Sequence, residues 1–205
     1  MEGLMEGRKA DGRTLRRTRN REAVLDAVLE LFDEGHLQPP MDDIAERAGV
    51  SNRSIYRYFE HRDHLIRAAV TYALRRLASD LQFAEAAAGT FDERVERFVD
   101  HRLGLHDRLA PVMRAGMFVA VSEPIVAEEF EVGRQLLRRQ LDEQFADELA
   151  SVPADSRRRA GTAAEMAFQF ETIEFLAHAS ESSDDVRTVL ADHLHLTLGR
   201  HRHVH

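Results

Sequence analysis

Apolar residues recur at helical spacing along nearly all of this 205-residue chain, and no segment shows the strict apolar and polar alternation of a half-buried strand. Residues three and four apart share a face only on a helix, so this one regularity confines the chain to an all-α fold. Val24, Leu25, Val28, Leu29, Leu31 and Phe32 make a broad apolar face, and Gly35 after them suits a helix stop. A short second helix over 42–48 turns Ile44, Ala45 and Ala48 inward. Gly49 then permits a tight turn, and Ser51 is placed to cap a third helix over 51–59 with Ile55 and Phe59 inside. A long fourth helix over 62–87 runs through Leu65, Ile66, Ala69, Val70, Ala73, Leu74, Leu77 and Leu81. Thr90 and Glu93 form a capping box that opens a helix at Phe91, with Val95, Phe98 and Val99 apolar. Leu109, Val112, Met113, Gly116, Met117 and Ala120 define the next; 124–149 is long and charged, 155–179 is rich in Ala and Phe, and Ser183 caps a last helix. About nine helices are expected.

Composition excludes several classes of chemistry. At 43% hydrophobic residues the chain can build a core. It contains no cysteine, which removes disulfides, thiol nucleophiles and cysteine-ligated metals. The first dozen residues hold no apolar run of signal-peptide length, and no stretch of about 18 uncharged apolar residues could span a membrane. A cytoplasmic protein with no membrane partner is expected. No His-Glu-x-x-His, nucleophile elbow or Gly-rich phosphate loop is present, so no enzyme, catalytic residue or cofactor is expected.

Charge divides the chain. The net charge is -8, yet residues 1–78 carry fourteen basic and thirteen acidic side chains against fourteen and twenty-three in 79–205. The excess of positive charge lies at the front, where Arg8, Lys9, Arg13, Arg16, Arg17, Arg19 and Arg21 face only Asp11. A basic arm ahead of a near-neutral segment, followed by an acidic one, is the layout of a DNA reader joined to something else. The expected domains are a disordered basic arm at 1–17, a helix-turn-helix at 18–64 and an effector-binding and dimerisation domain at 65–205.

The sequence IAERAGVSNRSIYRYF meets the requirements of a helix-turn-helix: a short apolar-faced helix, a glycine turn, and a second helix with a polar outer face. Ser51, Asn52, Arg53, Ser54, Arg57 and Tyr58 form that outer face. Asn can read adenine and Arg guanine, while Ser and Tyr hydroxyls more often reach phosphates. The longer stretch DDIAERAGVSNRSIYRYFEHRDHL resembles the signature of the tetracycline-repressor (TetR) family, most strongly over residues 20–70. The resemblance implies base contacts from Asn52, Arg53 and Ser54 and phosphate contacts from Tyr56 and Arg62, with Tyr58 as a second aromatic contact. Arg17 and Arg19 of the arm and Ser51 complete the expected DNA-binding set. Two departures stand out. Pro39 and Pro40 occupy the place of the family's hydroxyl-bearing cap before the second helix, and Ser54 replaces its usual Thr.

The resemblance further implies a homodimer on a near-palindromic operator, with recognition helices roughly 34–36 Å apart or somewhat more. The last two helices resemble the family's dimerisation pair, which gives Met166, Phe170, Ile173, Val186, Val189, Leu190, His193, Leu194 and Thr197 as interface candidates. By the same resemblance a small molecule binds among the middle helices and antagonises DNA binding. Its candidate contacts are Phe98, Arg102, Met113, Met117, Phe118, Phe168, Glu171 and Phe175. Arg102 falls on an apolar stripe, where a cation needs Glu171, an anionic effector or an escape to solvent. The function expected is repression relieved by an effector. The alternative is a metal-responsive regulator, for which His61 with His64, or His201 with His205, have usable spacing, whereas His193 and His195 point to opposite sides.

Overall fold

The computed structural model describes residues 3–76, 83, 87–121 and 123–199, with side chains from residue 16 onward, residue 125 aside. These residues form an all-α fold of ten helices. They belong to two compact units, Met1–Arg76 with Pro111–Glu129, and Leu77–Ala110 with Phe130–His205.

In the first unit, α1 (Gly3–Asp33), α2 (Met41–Ala48), α3 (Asn52–Tyr56) and α4 (Arg62–Arg76) bury the apolar faces read from the sequence. Val24, Leu25, Val28, Ile44, Ile55 and Leu65 are fully buried. The backbone of α1 is continuous from Gly3, so the basic arm is the start of this helix. Gly35 (φ 88°) and Gly49 (φ 64°) take the left-handed conformation that closes α1 and α2. At the second, the Gly49 and Val50 N–H groups return to the carbonyls of α2, and the chain reverses toward α3. Leu77 and Leu81, expected on α4, lie outside the described residues.

The chain passes between the units within α5 (Phe91–Ala120) and α6 (Pro124–Gln144). Two helices were expected where α5 is one. Pro111 lacks an N–H but is accommodated inside it, since one missing bond in thirty residues does not end a helix that packs on both sides of it. The Thr90 and Glu93 capping box forms as expected, with Thr90 N–H donating to Glu93 Oε2 at 2.8 Å and Glu93 N–H to Thr90 Oγ1 at 3.3 Å.

The second unit departs from the sequence reading at two breaks. The helix expected over 124–149 divides at Phe145 into α6 and α7 (Ala146–Ser151). Phe145 is fully buried there, with its ring 6.0 Å from Phe91 and 5.3 Å from Phe98. The carbonyl of Gln144, at the break, accepts a hydrogen bond from Arg94 Nη1 at 2.6 Å. Arg94 also makes a two-pronged ion pair with Glu148, at 2.9 and 2.6 Å, and both side chains are buried. Gln144 Nε2 donates back to the Arg94 carbonyl, and its Oε1 accepts from Ala87 N–H. The helix expected over 155–179 likewise divides, into α8 (Ala154–Met166) and α9 (Phe170–Ala179). Extended Gln169 starts α9, and Thr172 Oγ1 takes the Met166 carbonyl that the break releases. α10 (Ser183–Leu198) is capped by Ser182 rather than Ser183, through its Oγ and the Asp185 N–H. Among the described residues no helix is long and apolar enough to cross a membrane.

Removing one member of a buried ion pair strands the other, so Glu148→Ala should cost about 3–5 kcal/mol in denaturant unfolding. Arg94→Met combined with Glu148→Leu should recover most of that loss, and additive losses would show that the pair is not coupled. His101 supplies a pH test. Burial, then the nearby Arg102 and Arg108 charges, push its pKa from 6.5 to about 4. The unfolded chain therefore binds this proton first, and the stability tied to neutral His101 is full above 6.5 and drains as pH falls toward 4. His101→Gln should narrow the melting-temperature gap between pH 7 and pH 4.5, and an unchanged gap would remove His101 from the acid response.

Candidate nucleic-acid interface

The outer face of α3 is built by its caps. Ser51 Oγ accepts the Ser54 N–H at 3.3 Å and lies 3.1 Å from Ser54 Oγ, so both hydroxyls are engaged in starting the helix. Ile55 fixes the rotation of the helix by burying completely. Arg53 and Arg57 are then exposed, as is Tyr56, with 52% of its surface free. Tyr58 is half-buried, its hydroxyl accepting from Arg57 Nη2 at 2.8 Å while the Arg57 guanidinium lies 4.9 Å from its ring centre. Arg17 and Arg19 are exposed on α1.

Asn52 differs from the expectation of a free base reader. Its amide nitrogen donates to Asp42 Oδ1 at the start of α2, and its own Oδ1 is buried. A carboxylate can only accept, so the amide group is turned inward and ties α3 to α2. Sequence reasoning missed Asp42 because it sits ten residues away and was read only as the start of the second helix. Arg62, half-buried, reaches Gln38 Oε1 at 3.4 Å, just before the two prolines. Pro40 caps α2 with no side-chain bond, as its lack of a hydroxyl requires.

His61 and His64 have a different task from metal binding. His61 Nδ1 accepts the His64 N–H at 3.1 Å and His64 Nδ1 accepts the Glu60 N–H at 3.3 Å, a reciprocal cap at the start of α4. His201 and His205 lie outside the described residues. Among the described residues no group of three or more potential ligands is placed to hold a metal ion.

The effector candidates separate. Phe98, Arg102 and Phe168 come together inside the second unit, with Phe98 5.1 Å from Phe168 and the Arg102 guanidinium 4.6 Å from the Phe98 ring centre. Glu171 and Phe175 are exposed on α9, and Met113, Met117 and Phe118 belong to the first unit, Phe118 exposed. Arg102 therefore neither reaches solvent nor pairs with Glu171; Nη2 donates to the Leu137 carbonyl instead.

The dimer candidates separate too. Val186, Leu190 and Leu194 lie in the core of the second unit with Leu141, Phe145 and Ala164, and Ile173 is also buried. They have no surface left to offer a second copy. Phe170 stacks on His106 at 5.1 Å, and His193 Nε2 donates to the Ala163 carbonyl at 2.7 Å. Met166 and Val189 are exposed, together with Leu196, which was not singled out from the sequence; Thr197 is half-buried.

Residues 24–69 match the family model described as bacterial regulatory proteins, tetR family. The HTH-type transcriptional regulator BetI of Rhizobium meliloti is 33% identical over 145 residues, covering 68% of this chain and 69% of that protein. The HTH-type transcriptional repressor LfrR of Mycolicibacterium smegmatis is 26% identical over 142 residues, covering 69% and 74%. Both are regulators of transcription rather than enzymes. The fold matches the crystal structure of LfrR (Mycobacterium smegmatis) in complex with proflavine, with a TM-score of 0.56 and 22% identity over 90% of this chain and 97% of that one. It also matches SCO7518 from Streptomyces coelicolor, with a TM-score of 0.60 and 20% identity over 88% and 98%. With its helix-turn-helix and its helical second unit, the chain belongs to the tetR family of bacterial regulatory proteins.

Proposed function

We propose that this protein is a cytoplasmic repressor that binds a palindromic operator as a homodimer and is released from it by a small-molecule effector. The observation that carries the reading is the exposed pair Arg53 and Tyr56 on a short helix held rigidly against α2. Arg53 is the base reader in this proposal, Tyr56 and Arg62 hold phosphates, and Arg17 and Arg19 add non-specific attraction. Ser51, Ser54 and Asn52 set the helix in place, and Tyr58 steadies Arg57.

For the dimer, what supports the reading is the apolar surface left on α8, α9 and α10. Met166 is 62% exposed, Phe175 68%, Val189 45% and Leu196 56%, values that a chain working alone would not favour for four large side chains of one unit. For effector release, support comes from LfrR, a repressor whose structure holds proflavine. In this proposal Phe98, Arg102 and Phe168, which lie together in the second unit, bind the effector.

Selection of duplexes from a random DNA pool by the purified protein tests the whole reading: a palindromic motif is expected, and no enrichment would overturn it. With that motif in hand, Arg53→Ala should weaken specific binding by about 1–3 kcal/mol and leave non-specific binding nearly unchanged. Tyr56→Phe should weaken both, and equal losses for the two variants on every sequence would remove Arg53 as a base reader. Val189→Glu with Leu196→Glu should convert dimer to monomer in sedimentation while helix content is kept; an unchanged mass would move the interface elsewhere.

A further inference from the structure

Arg94, Arg138 and Arg102 of the second unit are not treated alike. Arg94 has Glu148. Arg138 lies against Gly161 of α8, where any Cβ would fall within its guanidinium, and from there it reaches Asp142 at 2.9 Å and Glu165 at 3.1 Å. Arg102, 5% exposed and so more buried than Arg138, has only a backbone carbonyl, that of Leu137, and the face of Phe98. Its Nε and Nη1 are buried without an acceptor.

The neighbouring groups cannot neutralise it. Glu165 is the acid whose field reaches Arg102, but its carboxylate is committed to Arg138 and to Gln169. His101 adjoins it in sequence, and an imidazole supplies no negative charge in either protonation state. Burial pushes the Arg102 pKa down to about 9, so it is still a cation at neutral pH. A guanidinium has two edges that each present a pair of parallel N–H donors, and Nη2 contributes one hydrogen to each. Whichever of these the Leu137 carbonyl takes, the other edge keeps both donors.

That edge matches a carboxylate, and the surroundings match an aromatic body: Phe98 beneath the guanidinium and Phe168 and Phe83 against Phe98, at 5.1 and 5.9 Å. Resting on the reading that the second unit binds an effector, we propose that the effector is an aromatic carboxylate whose charge is taken by Arg102 and whose ring joins the Phe98 cluster. The charge would leave water only where its counter-charge waits, so the ligand completes an ion pair that the chain itself leaves half-built.

The test uses three probes of one shape and different charge, benzoate, benzylamine and benzyl alcohol, with proflavine as a fourth. Calorimetry and thermal shift are read on the full chain and on Arg102→Met and Arg102→Lys, and release is read on the selected operator. Benzoate should bind the parent protein and release DNA, binding should weaken about tenfold or more in Arg102→Met, and Arg102→Lys should retain part of it. Without ligand, Arg102→Met should melt higher than the parent, because an uncompensated buried cation is gone; a lower melting temperature would make Arg102 a structural residue and overturn the proposal. Equal benzoate affinity in Arg102→Met overturns it as well. If benzylamine, benzyl alcohol or proflavine releases DNA and benzoate does not, the anionic class fails and effector release stands. If no probe binds, both fail.

Discussion

Arg94 carries a full charge into the interior of the second unit, and much of that unit is arranged to receive it. Its two-pronged pair with Glu148 holds the start of α5 against α7, and its third bond, to the Gln144 carbonyl, occupies the acceptor that the end of α6 would otherwise leave open. The break between α6 and α7 can exist because that carbonyl is satisfied. The break in turn turns Phe145 inward onto Phe91 and Phe98, and Phe98 then meets Phe168 from the turn between α8 and α9. A buried pair of this kind contributes little net stability against an apolar replacement of the same volume, since desolvation offsets the attraction. What it supplies is position: an arginine fork accepts a carboxylate in few orientations, so three helices are fixed by one contact.

In the first unit the same work is done by hydrogen bonds at helix ends. Gly35 and Gly49 close α1 and α2, Ser51 opens α3, and the two histidines open α4. Arg47 at the end of α2 bonds to Glu34 at 2.8 and 3.0 Å, and this bond holds the Glu34 carboxyl below the usual range. Within 40–64, the side chains of Asp42, Ser51, Asn52 and Ser54 are spent on holding a five-residue helix steady. So short a helix has little stability of its own. Its value as a reader depends on presenting Arg53 and Tyr56 from a fixed base, and the inward-turned Asn52 belongs to that base.

The helix-turn-helix was legible because its signals are local: a glycine, a cap and an apolar spacing within sixteen residues. The long helices were less so. Nothing near Phe145 or Gln169 breaks a helix by propensity, and both breaks are imposed by contacts with residues fifty or so positions away or by a hydroxyl one turn on. Over 91–120 the opposite holds: two helices were expected, and α5 runs unbroken through Pro111. Periodicity also identified Val186, Leu190 and Leu194 as one buried stripe without saying what buries it. The stripe is covered by the chain's own α5, α6 and α8 residues. The place of Arg102 on an apolar stripe marks it as anomalous in the sequence, but its burial and the commitment of Glu165 to Arg138 depend on contacts between distant helices.

α10 shows what that stripe leaves over. Val186, Leu190, Leu194 and Leu198 follow one another every four residues on the covered side. Val189, His193 and Leu196 follow at four and three residues on another side, and His193 is anchored to Ala163, one turn from exposed Met166 on α8. A helix apolar on two sides is stable in water only if both are covered. One side is covered within the chain. At roughly 25 cal/mol per Å² of apolar surface, leaving the other in water forgoes a gain that a second copy with the same exposed side chains could realise. Because a two-fold axis pairs a surface with itself, the one strip would supply both halves of the contact, which is why the proposed dimer needs no further complementary patch.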